Sequence, residues 1–352
     1  MKIGTHSLGS GQPCYIIAEL SANHGGDFQI AADTIRAMKE AGADAVKLQT
    51  YTADTLTIAS DKPPFKITGG TLWDGKTLHE LYQEAFMPWD WQPKLQALAT
   101  ELGLDFFSTP FDDSAVDFLE GMNVPAHKIA SFEMIDHPLL RKVAATGKPI
   151  IMSTGMASLE EIEESVEVLR KAKSGPVALL KCTSAYPADP AEMNLLTIQD
   201  MQRRFGVPIG LSDHTLGHTV PVAAVALGAC IIEKHFILDR TQGGPDSTFS
   251  MEPQEFRAMV DAIRIVEQAL GKPDNYVISE KEAKSKAFRR SLFVVKDIQA
   301  GEAFTPDNVR CIRPGHGLHP RLLEQVLDSE AICDIERGTP LSLNHLHSIT
   351  NP

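Results

Sequence analysis

Two histidines in this sequence each follow an apolar stretch and belong to a short polar cluster. The triplet Ser-Asp-His ends at His214, and the triplet Glu-Lys-His ends at His235. Neutral imidazoles are common ligands of divalent transition metals, and two of them leave positions free for water and substrate oxygens. The pair therefore predicts a catalytic metal site. Because no HExxH pattern is present, two core histidines without a metal are the alternative.

Polar side chains also end six further apolar runs. In chain order these are Glu19 with Asn23 and His24, Lys47 with Gln49, Ser108 with Thr109, Lys128 with Ser131 and Glu133, Ser153 with Thr154, and Lys181 with Thr183 and Ser184. Together with Lys234 they supply lysines and hydroxyls without a glycine-rich phosphate loop, which favours a small phosphorylated or carboxylated substrate over a nucleotide. Glu19, Glu133 and Asp246 are the candidate acids or bases.

The segments that carry these residues share one pattern, in which an amphipathic stretch ends at glycine and an apolar run begins shortly afterwards. Examples are KEAGADAVKLQT, TELGLDFFSTP, AATGKPIIMSTG, RRFGVPIGLSD and VALGACIIEKHF. Glycine suits the left-handed residue that closes a helix, and the apolar run is typical of a strand buried on both faces. Alternating helices and strands predict a parallel sheet.

The predicted strands begin near residues 14, 45, 105, 127, 149, 177, 208 and 230. Eight strands over about 250 residues predict an α/β fold of the (β/α)8 barrel type, in which strand-end residues converge on one pocket at the C-terminal mouth. An open doubly wound sheet is the alternative, and the strand-end position of the polar residues favours the barrel. One helix is predicted to begin with a capping box formed by Ser158 and Glu161.

Composition limits the classes of function. The chain has 352 residues, 43% of them hydrophobic and 22% charged, which is typical of a globular protein. A net charge of −13 argues against nucleic-acid or acidic-membrane partners. No apolar stretch is long enough to span a bilayer. The five cysteines lack a CxxC pair and favour a reducing cytoplasm over a disulfide framework. Cys182 and Cys230 are interpreted as small buried hydrophobes, because neither has an evident base beside it in sequence.

Composition changes after residue 271. We predict a barrel domain over residues 1–271, a polar linker over 272–285 and a small domain over 286–352. The small domain contains a repeat, DIQAGEAFTPDNV from Asp297 and DIERGTPLSLNHL from Asp334, separated by a loop with Arg313 and Arg321. A unit of this size can hardly bury a core unaided, so it is expected to dock on another surface. The loop arginines either reach a neighbouring pocket or form a basic surface.

The motifs together resemble the sialic acid synthase family, which condenses phosphoenolpyruvate with aminosugar aldehydes to make nonulosonic acids. The resemblance runs through IIAELSANHGG, STPFD, KIASFE, STGM, GLSDHT, EKHF, GPDSTFS and IRPGHG. It implies a (β/α)8 barrel followed by an antifreeze-like (SAF) domain. It also implies a domain-swapped homodimer, in which the small domain covers the partner's barrel.

The same resemblance implies roles for individual residues. His214 and His235 would be ligands of Mn²⁺ or Mg²⁺, Glu19 and Asp246 would bind sugar hydroxyls near the aldehyde, and Glu133 would transfer a proton or place the attacking water. The sugar would also contact Gln49, Tyr186 and, from the other subunit, Arg313. The residues implied for phosphoenolpyruvate are Lys47, Thr109, Lys128, Ser131, Ser153, Ser184 and Ser212.

Departures from the common sialic acid pattern suggest the substrate. Phe132 stands between Ser131 and Glu133 where that branch tends to have glycine, and Ser184 stands where asparagine is frequent. A phenyl ring there would favour a deoxy or methyl-bearing sugar. With the insertion TGGTLWDGKTLHELYQEAFMPWDW, these features resemble the pseudaminic acid branch, whose implied substrate is 2,4-diacetamido-2,4,6-trideoxy-L-altropyranose. N-acetylneuraminate or legionaminic acid synthesis is the alternative.

Two other classes of function remain open from the sequence. A Schiff-base aldolase would use Lys181 or Lys234 as a covalent nucleophile without metal. A non-catalytic saccharide-binding protein would use the C-terminal repeat as its binding module. The second class does not need two histidines and four lysines at one barrel mouth.

Overall fold

The computed structural model describes residues 1–70 and 72–347. Residue 71 of the predicted insertion and residues 348–352 of the predicted small domain lie outside this description. The chain divides into two compact units, Met1–Gly271 and Lys272–Pro352. The second unit starts at the residue where the linker is predicted to start, and the extent of that linker stays a prediction.

A closed barrel of eight parallel strands forms the first unit. The strands of this unit are β1 (Lys2–Ile3) and β2 (His6–Ser7), which form a separate hairpin, and the barrel strands β3 (Tyr15–Glu19), β4 (Ala45–Thr50), β5 (Asp105–Pro110), β6 (His127–Ile129), β7 (Ile150–Ser153), β8 (Val177–Cys182), β9 (Ile209–Asp213) and β10 (Ile231–His235). Strands β3 to β10 follow one another around the barrel, and β10 closes it by pairing with β3. The (β/α)8 prediction is confirmed, and the open sheet is excluded.

Helices connect the barrel strands. They are α1 (Phe28–Glu40), α2 (Ala53–Leu56), α3 (Leu78–Ala85), α4 (Gln92–Glu101), α5 (Asp113–Gly121), α6 (His137–Ala144), α7 (Leu159–Lys171), α8 (Thr197–Phe205), α9 (Thr219–Ala226) and α10 (Pro253–Leu270). The capping box predicted for α7 is confirmed, because the Ser158 hydroxyl accepts from the Glu161 N–H and the Glu161 carboxylate accepts from the Ser158 N–H. No described helix is long and apolar enough to cross a membrane.

The N-terminal hairpin of β1 and β2 packs at the end of the barrel where the strands begin. Ile3 is fully buried in the barrel core, and His6 Nδ1 lies 2.8 Å from the Asp105 carboxylate at the start of β5. Asp105 also accepts a 2.8 Å hydrogen bond from Tyr15 at the start of β3. These contacts fasten the hairpin to the barrel end opposite the predicted active site.

The connection between β4 and β5 is longer than one helix. It contains α2, a 3₁₀ turn at Pro63–Phe65 and α3 before the helix α4 that leads into β5. The Thr77 hydroxyl accepts from the Glu80 N–H, and the Glu80 carboxylate accepts from the Thr77 N–H, so a capping box starts α3. This connection corresponds to the insertion noted in the sequence, and it brings apolar residues to the barrel mouth.

The second unit contains α11 (Glu280–Ser285), the antiparallel strands β11 (Ser291–Val294) and β12 (Val309–Ile312), and α12 (Leu323–Leu327). Its buried apolar cluster consists of Leu292, Val294, Ile298, Phe304, Val309, Leu322, Val326, Ala331, Ile335, Leu341 and Leu346. The unit therefore has a core of its own, and docking on another surface stays a prediction.

The repeat in the second unit has a structural basis. Asp297 accepts a 2.7 Å hydrogen bond from the backbone N–H of Arg337, and Asp334 accepts a 2.8 Å bond from that of Ala300. The isoleucines that follow the two aspartates exchange backbone hydrogen bonds of 2.9 and 2.8 Å. Each copy of the repeat thus uses its aspartate to hold the turn of the other copy.

Candidate active site

A cavity of about 420 Å³ lies at the carboxyl ends of the barrel strands. All eight barrel strands contribute a lining side chain, which confirms that the predicted strand-end residues converge on one pocket. Of the predicted site residues, those that line the cavity are Glu19, Lys47, Gln49, Thr109, Lys128, Ser131, Glu133, Ser153, Tyr186, Ser212, His214, His235 and Asp246. Ser184 does not line the cavity but its hydroxyl lies 3.7 Å from the sulfur of Cys182, which does, and Arg313 belongs to the second unit.

Four buried charged side chains form the floor of the cavity. Lys47 Nζ lies 2.8 Å from the Glu19 carboxylate and 3.5 Å from that of Glu233. Lys128 Nζ lies 3.3 Å from Glu233, which also accepts a 2.9 Å hydrogen bond from the Ser212 hydroxyl. Because buried charges are costly unless paired, this arrangement keeps two ammonium groups charged inside a barrel. It gives the floor cations that an anionic substrate can contact.

The pKa values of the floor follow from burial and pairing. Burial acts to raise the pKa of Glu19, but His235 and Lys47 outweigh it and hold that pKa below its ordinary value. Burial acts to lower the pKa of Lys47, but Glu19 and Glu233 raise it above its ordinary value. Burial lowers the pKa of Lys128, which has Glu233 as its main countercharge. Lys128 is therefore the lysine that would gain most from an incoming anion.

Hydroxyl groups extend from the lysines along one side of the cavity. The Ser153 hydroxyl is buried without a hydrogen-bond partner among the described residues. The Ser131 hydroxyl accepts a 3.0 Å bond from the N–H of Gly155. A lysine pair with adjacent hydroxyls is a donor set that suits a phosphate or carboxylate, and the bond from the Gly155 N–H leaves the Ser131 hydroxyl proton free to donate.

Replacing Gly155 with alanine tests whether the hydroxyls beside the lysine pair bind an anion. The added Cβ would lie 2.2 Å from the Ser184 hydroxyl and 2.7 Å from that of Ser131, so both hydroxyls would have to move. We expect KM for the anionic substrate to rise about tenfold or more, as for the loss of one or two hydrogen bonds to a charged group. Steady-state kinetics measure it.

The matched control is Gly121→Ala, because a Cβ on that helical glycine meets nothing within 4 Å. This control should leave KM unchanged and fold at least as stably as the parent, since alanine is the better helix former. Equal KM values for the two variants would contradict the role of the Ser131 and Ser184 hydroxyls in anion binding.

The two predicted metal ligands lie side by side. The imidazole ring centres of His214 and His235 are 5.4 Å apart. Two imidazoles that share one ion at nitrogen distances of about 2 Å have ring centres roughly 5 Å apart. His214 Nδ1 lies 3.0 Å from the Thr183 carbonyl oxygen, which can only accept, so Nδ1 carries the proton and Nε2 keeps a lone pair.

The surroundings of His235 also fit a metal ligand. Its Nδ1 is buried without a hydrogen-bond partner in the described structure and lies 3.8 Å from the Asp246 carboxylate. Its Nε2 lies 3.3 Å from the Glu19 carboxylate. Burial lowers the pKa of His235, which favours the neutral imidazole that a metal requires. Among the described residues, no group of three or more His, Cys, Asp or Glu side chains is arranged to hold a metal ion.

Cys182 differs from its predicted role. It lines the cavity, and its Sγ lies 3.9 Å from His214 Nδ1. Burial acts to raise the pKa of this thiol, but the contact with His214 outweighs it and lowers the pKa to about 7. The side chain is buried as predicted, and the segment that follows β9 brings the His214 imidazole, which is distant in sequence, into contact with it.

Two carboxyl groups at the rim have contrasting environments. The carboxylate of Asp246 accepts hydrogen bonds from the Ser21 hydroxyl and, at 3.4 Å, from the Ala22 N–H. Ser21 has a φ of 49°, a left-handed conformation that non-glycine residues adopt mainly where function or packing requires it. Burial raises the pKa of Glu133 to about 7, and its Oε2 is buried without a partner among the described residues. Glu133 is therefore poised for proton transfer near neutral pH.

Two of the four lysines predicted at the mouth lie elsewhere. Lys234 is fully buried and pairs with Asp213 and the Thr215 carbonyl, and Lys181 lies 3.0 Å from the Cys182 carbonyl oxygen. Neither residue lines the cavity. The reason is strand alternation, since Lys234 stands between Glu233 and His235, whose side chains face the lumen. The prediction was wrong for both lysines, and the Schiff-base alternative loses its candidate nucleophiles.

Apart from Phe132, whose ring was expected to favour a deoxy or methyl-bearing sugar, sequence reasoning missed the apolar half of the cavity. This half is lined by Tyr51, Leu56, Ile67, Trp73, Leu78, Leu81, Tyr82, Ala85, Phe111 and Phe132. Most of these residues come from the long connection between β4 and β5, whose path over the mouth has no signal in the local sequence. Glu233 was also given no role, although its spacing of two residues from His235 placed both on one strand face.

Comparisons with known proteins agree with this architecture. Residues 34–275 match the NeuB family, and residues 289–347 match the SAF domain. The chain is 45% identical to a pseudaminic acid synthase of Helicobacter pylori over 95% of this chain and 98% of that protein. It is 36% identical to an N,N'-diacetyllegionaminic acid synthase of Legionella pneumophila over 98% of each. A crystal structure of N-acetylneuraminic acid synthetase from Leptospira borgpetersenii superposes with a TM-score of 0.72 at 33% identity, covering 81% of this chain and 94% of that one.

Proposed function

The chain belongs to the NeuB family, and we propose that it is a pseudaminic acid synthase. It would be a transferase that condenses phosphoenolpyruvate with 2,4-diacetamido-2,4,6-trideoxy-L-altropyranose. The observation that carries this assignment is an identity of 45% or 46% with three pseudaminic acid synthases over at least 95% of the chain. Identity with two legionaminic acid synthases is lower, at 36% and 38%.

The floor of the cavity suits phosphoenolpyruvate. Lys47 and Lys128 would contact the phosphate and carboxylate, and these anions would partly replace Glu233 as the countercharge of Lys128. Hydroxyl donors from Thr109, Ser131, Ser153, Ser184 and Ser212 would complete the contacts. Because the site is buried, each charge-assisted hydrogen bond contributes more than it would in water.

The sugar would bind with its aldehyde near the two histidines. Glu19 and Asp246 would accept hydrogen bonds from its hydroxyls, with Gln49 held in place by its 2.9 Å donation to Glu19. His214 and His235 would hold a divalent cation, Mn²⁺ or Mg²⁺, which supplies Lewis acidity toward the aldehyde oxygen. C3 of phosphoenolpyruvate then forms a bond to the aldehyde carbon. Water adds at C2, and one of its protons is received by Glu133 and ends on the aldehyde oxygen, which becomes a hydroxyl. The C–O bond to phosphate then breaks, and the other proton of the added water goes to the leaving phosphate as the C2 ketone forms.

Isotope labelling tests this chemistry directly. Phosphoenolpyruvate carrying oxygen-18 at the bridging position between C2 and phosphorus should transfer that label to the released phosphate, because the C–O bond breaks. Mass spectrometry of the phosphate measures the label. Unlabelled phosphate formed from the labelled substrate would show P–O cleavage and contradict the proposed reaction.

The pKa of Glu133 predicts the pH dependence of turnover. If the ionised carboxylate receives the proton of the attacking water, kcat should fall as pH decreases below about 7, because the carboxyl group becomes protonated. Glu133→Gln should remove that limb of the profile and lower kcat about a hundredfold. The measurement is kcat at saturating substrates, from well below to well above pH 7.

The exposed Glu163, on the outer face of α7, provides a matched control. Glu163→Gln should retain both the fall of kcat below about pH 7 and the parental value of kcat above it. If kcat of the Glu133→Gln variant still fell below about pH 7 as in the parent, a group other than Glu133 would be responsible for the pH dependence.

The assembly would be a homodimer in which the SAF domain covers the partner's barrel mouth. Its support is a set of exposed apolar side chains on loops at the mouth, which includes Met156 and Leu216. Arg313 would then contact the sugar bound in the partner's barrel, and residues 272–285 would act as the linker. The described cysteines are free thiols, which fits the proposed cytoplasmic location.

A further inference from the structure

The two halves of the cavity differ in chemistry. Strand ends supply the charged and hydroxyl groups, whereas the connection between β4 and β5 supplies an apolar surface. We use the name apolar wall for Tyr51, Leu56, Ile67, Trp73, Leu78, Leu81, Tyr82 and Ala85, together with Phe132 from the loop after β6. In the proposed complex, phosphoenolpyruvate and the aldehyde end of the sugar fill the polar half of the cavity. Another part of the substrate must therefore contact the apolar wall.

The solvent exposure of the wall side chains indicates that a ligand covers them in the complex. Phe132 lines the cavity and is 59% exposed, and Leu56, Ile67, Trp73 and Leu78 are each only partly buried. Apolar side chains around a cavity gain burial free energy only when a ligand removes their surface from water. Hydroxyl-rich surfaces of a sugar would gain nothing there, so the matching ligand surface is apolar.

Contacts of Trp73 fix the wall relative to the reacting groups. Its indole N–H donates a 3.2 Å hydrogen bond to the carbonyl oxygen of Pro245, next to Asp246. Its ring centre lies 5.9 Å from that of Tyr186, which in turn lies 4.4 Å from the ring of His214. The wall is thus joined to the loop that holds the sugar hydroxyls and to the histidine pair. A sugar with its aldehyde at the histidines would direct its other end toward the wall.

We propose that the apolar wall selects the sugar by receiving the C6 methyl group and the acetamido methyl groups of the substrate. This inference rests on the proposed function, and it assigns substrate selection to the insertion between β4 and β5. A hydroxyl group at C6 would lose its water on entering the site, and the hydrocarbon side chains that make up most of the wall, Leu56, Ile67, Leu78, Leu81, Ala85 and Phe132, offer it no hydrogen-bond partner. Selection therefore acts through burial of methyl groups and exclusion of one hydroxyl.

A pair of sugars that differ in one atom tests the proposal. One is the 2,4-diacetamido-2,4,6-trideoxy-altrose, and the other carries a hydroxyl at C6. We expect the parent enzyme to favour the deoxy sugar by about 10- to 100-fold in kcat/KM. Phe132→Ala and Trp73→Ala should each lower that ratio about tenfold, with KM for phosphoenolpyruvate unchanged. The control is Ile265→Ala on α10, which removes a side chain of similar exposure, 65%, outside the cavity and should keep the ratio.

The outcomes separate this inference from the proposed function. Calorimetric binding of the two sugars to the full chain measures the same preference without turnover. Equal affinities in the parent, or an unchanged ratio in both wall variants, would overturn the role of the wall. Preferential binding of the deoxy sugar that the wall variants lose, without phosphate release, would support the wall and overturn the condensation reaction.

Discussion

Replacing Lys128 with methionine should lower kcat/KM for phosphoenolpyruvate by about 10²- to 10³-fold, the equivalent of breaking one buried charge pair. The ammonium group is 2% exposed as a side chain and has Glu233 at 3.3 Å. Methionine preserves the length of the side chain and most of its packing, but it leaves the Glu233 carboxylate facing the substrate anion with one cation fewer. Both the lost attraction and the new repulsion weaken binding.

Lys181→Met is the matched control for this variant. Lys181 is also a strand lysine of the barrel, but it contacts the Cys182 carbonyl oxygen and lies outside the cavity. Phosphate-release kinetics and thermal unfolding should show near-parental behaviour for this control. If Lys181→Met lost as much activity as Lys128→Met, the floor of the cavity would not be the anion site. Such a result would favour a mechanism in which Lys181 acts as a covalent nucleophile.

Removal of the second imidazole should have the other large effect. We expect His235→Ala to reduce metal-dependent phosphate release by about 10³-fold, because a Lewis acid contributes several kcal/mol to such a reaction. The same variant should bind less metal, measured by elemental analysis after dialysis. Binding is the more direct readout, since Glu19 and Asp246 also surround this ring.

His6→Asn provides the comparison for His235. His6 also contacts a carboxylate, with Nδ1 2.8 Å from Asp105, but it lies at the opposite end of the barrel. Its replacement should leave metal content and metal dependence at parental values. Parental metal binding in His235→Ala would contradict the assignment of the histidine pair.

The fold and the polar half of the site could be predicted from the sequence because both depend on local patterns. Strands buried on both faces give uninterrupted apolar runs, and glycines mark the ends of helices such as α8, where Gly206 has a φ of 62°. A parallel barrel then brings the ends of those strands to one mouth. Residues as distant in sequence as Glu19 and His235 could be placed together on this basis alone.

The errors came from features that strand-end position does not determine. Lys234 was placed in the pocket although strand alternation directs it away from Glu233 and His235. The contact of Cys182 with His214 depends on the pairing of neighbouring strands, which no local pattern reports. The apolar wall depends on the path of a long connection. Phe132 was the one member of the wall with a sequence signal, because it directly precedes Glu133.

The central claim is that this protein condenses phosphoenolpyruvate with a deoxygenated diacetamido sugar in a metal-dependent reaction. The most direct test is phosphate release by the purified chain with Mn²⁺, comparing 2,4-diacetamido-2,4,6-trideoxy-L-altropyranose with N-acetylmannosamine, each with and without chelator. The account predicts release with the altrose derivative that chelator abolishes, and little release with N-acetylmannosamine. Preferential release with N-acetylmannosamine, or release unaffected by chelator, would contradict it.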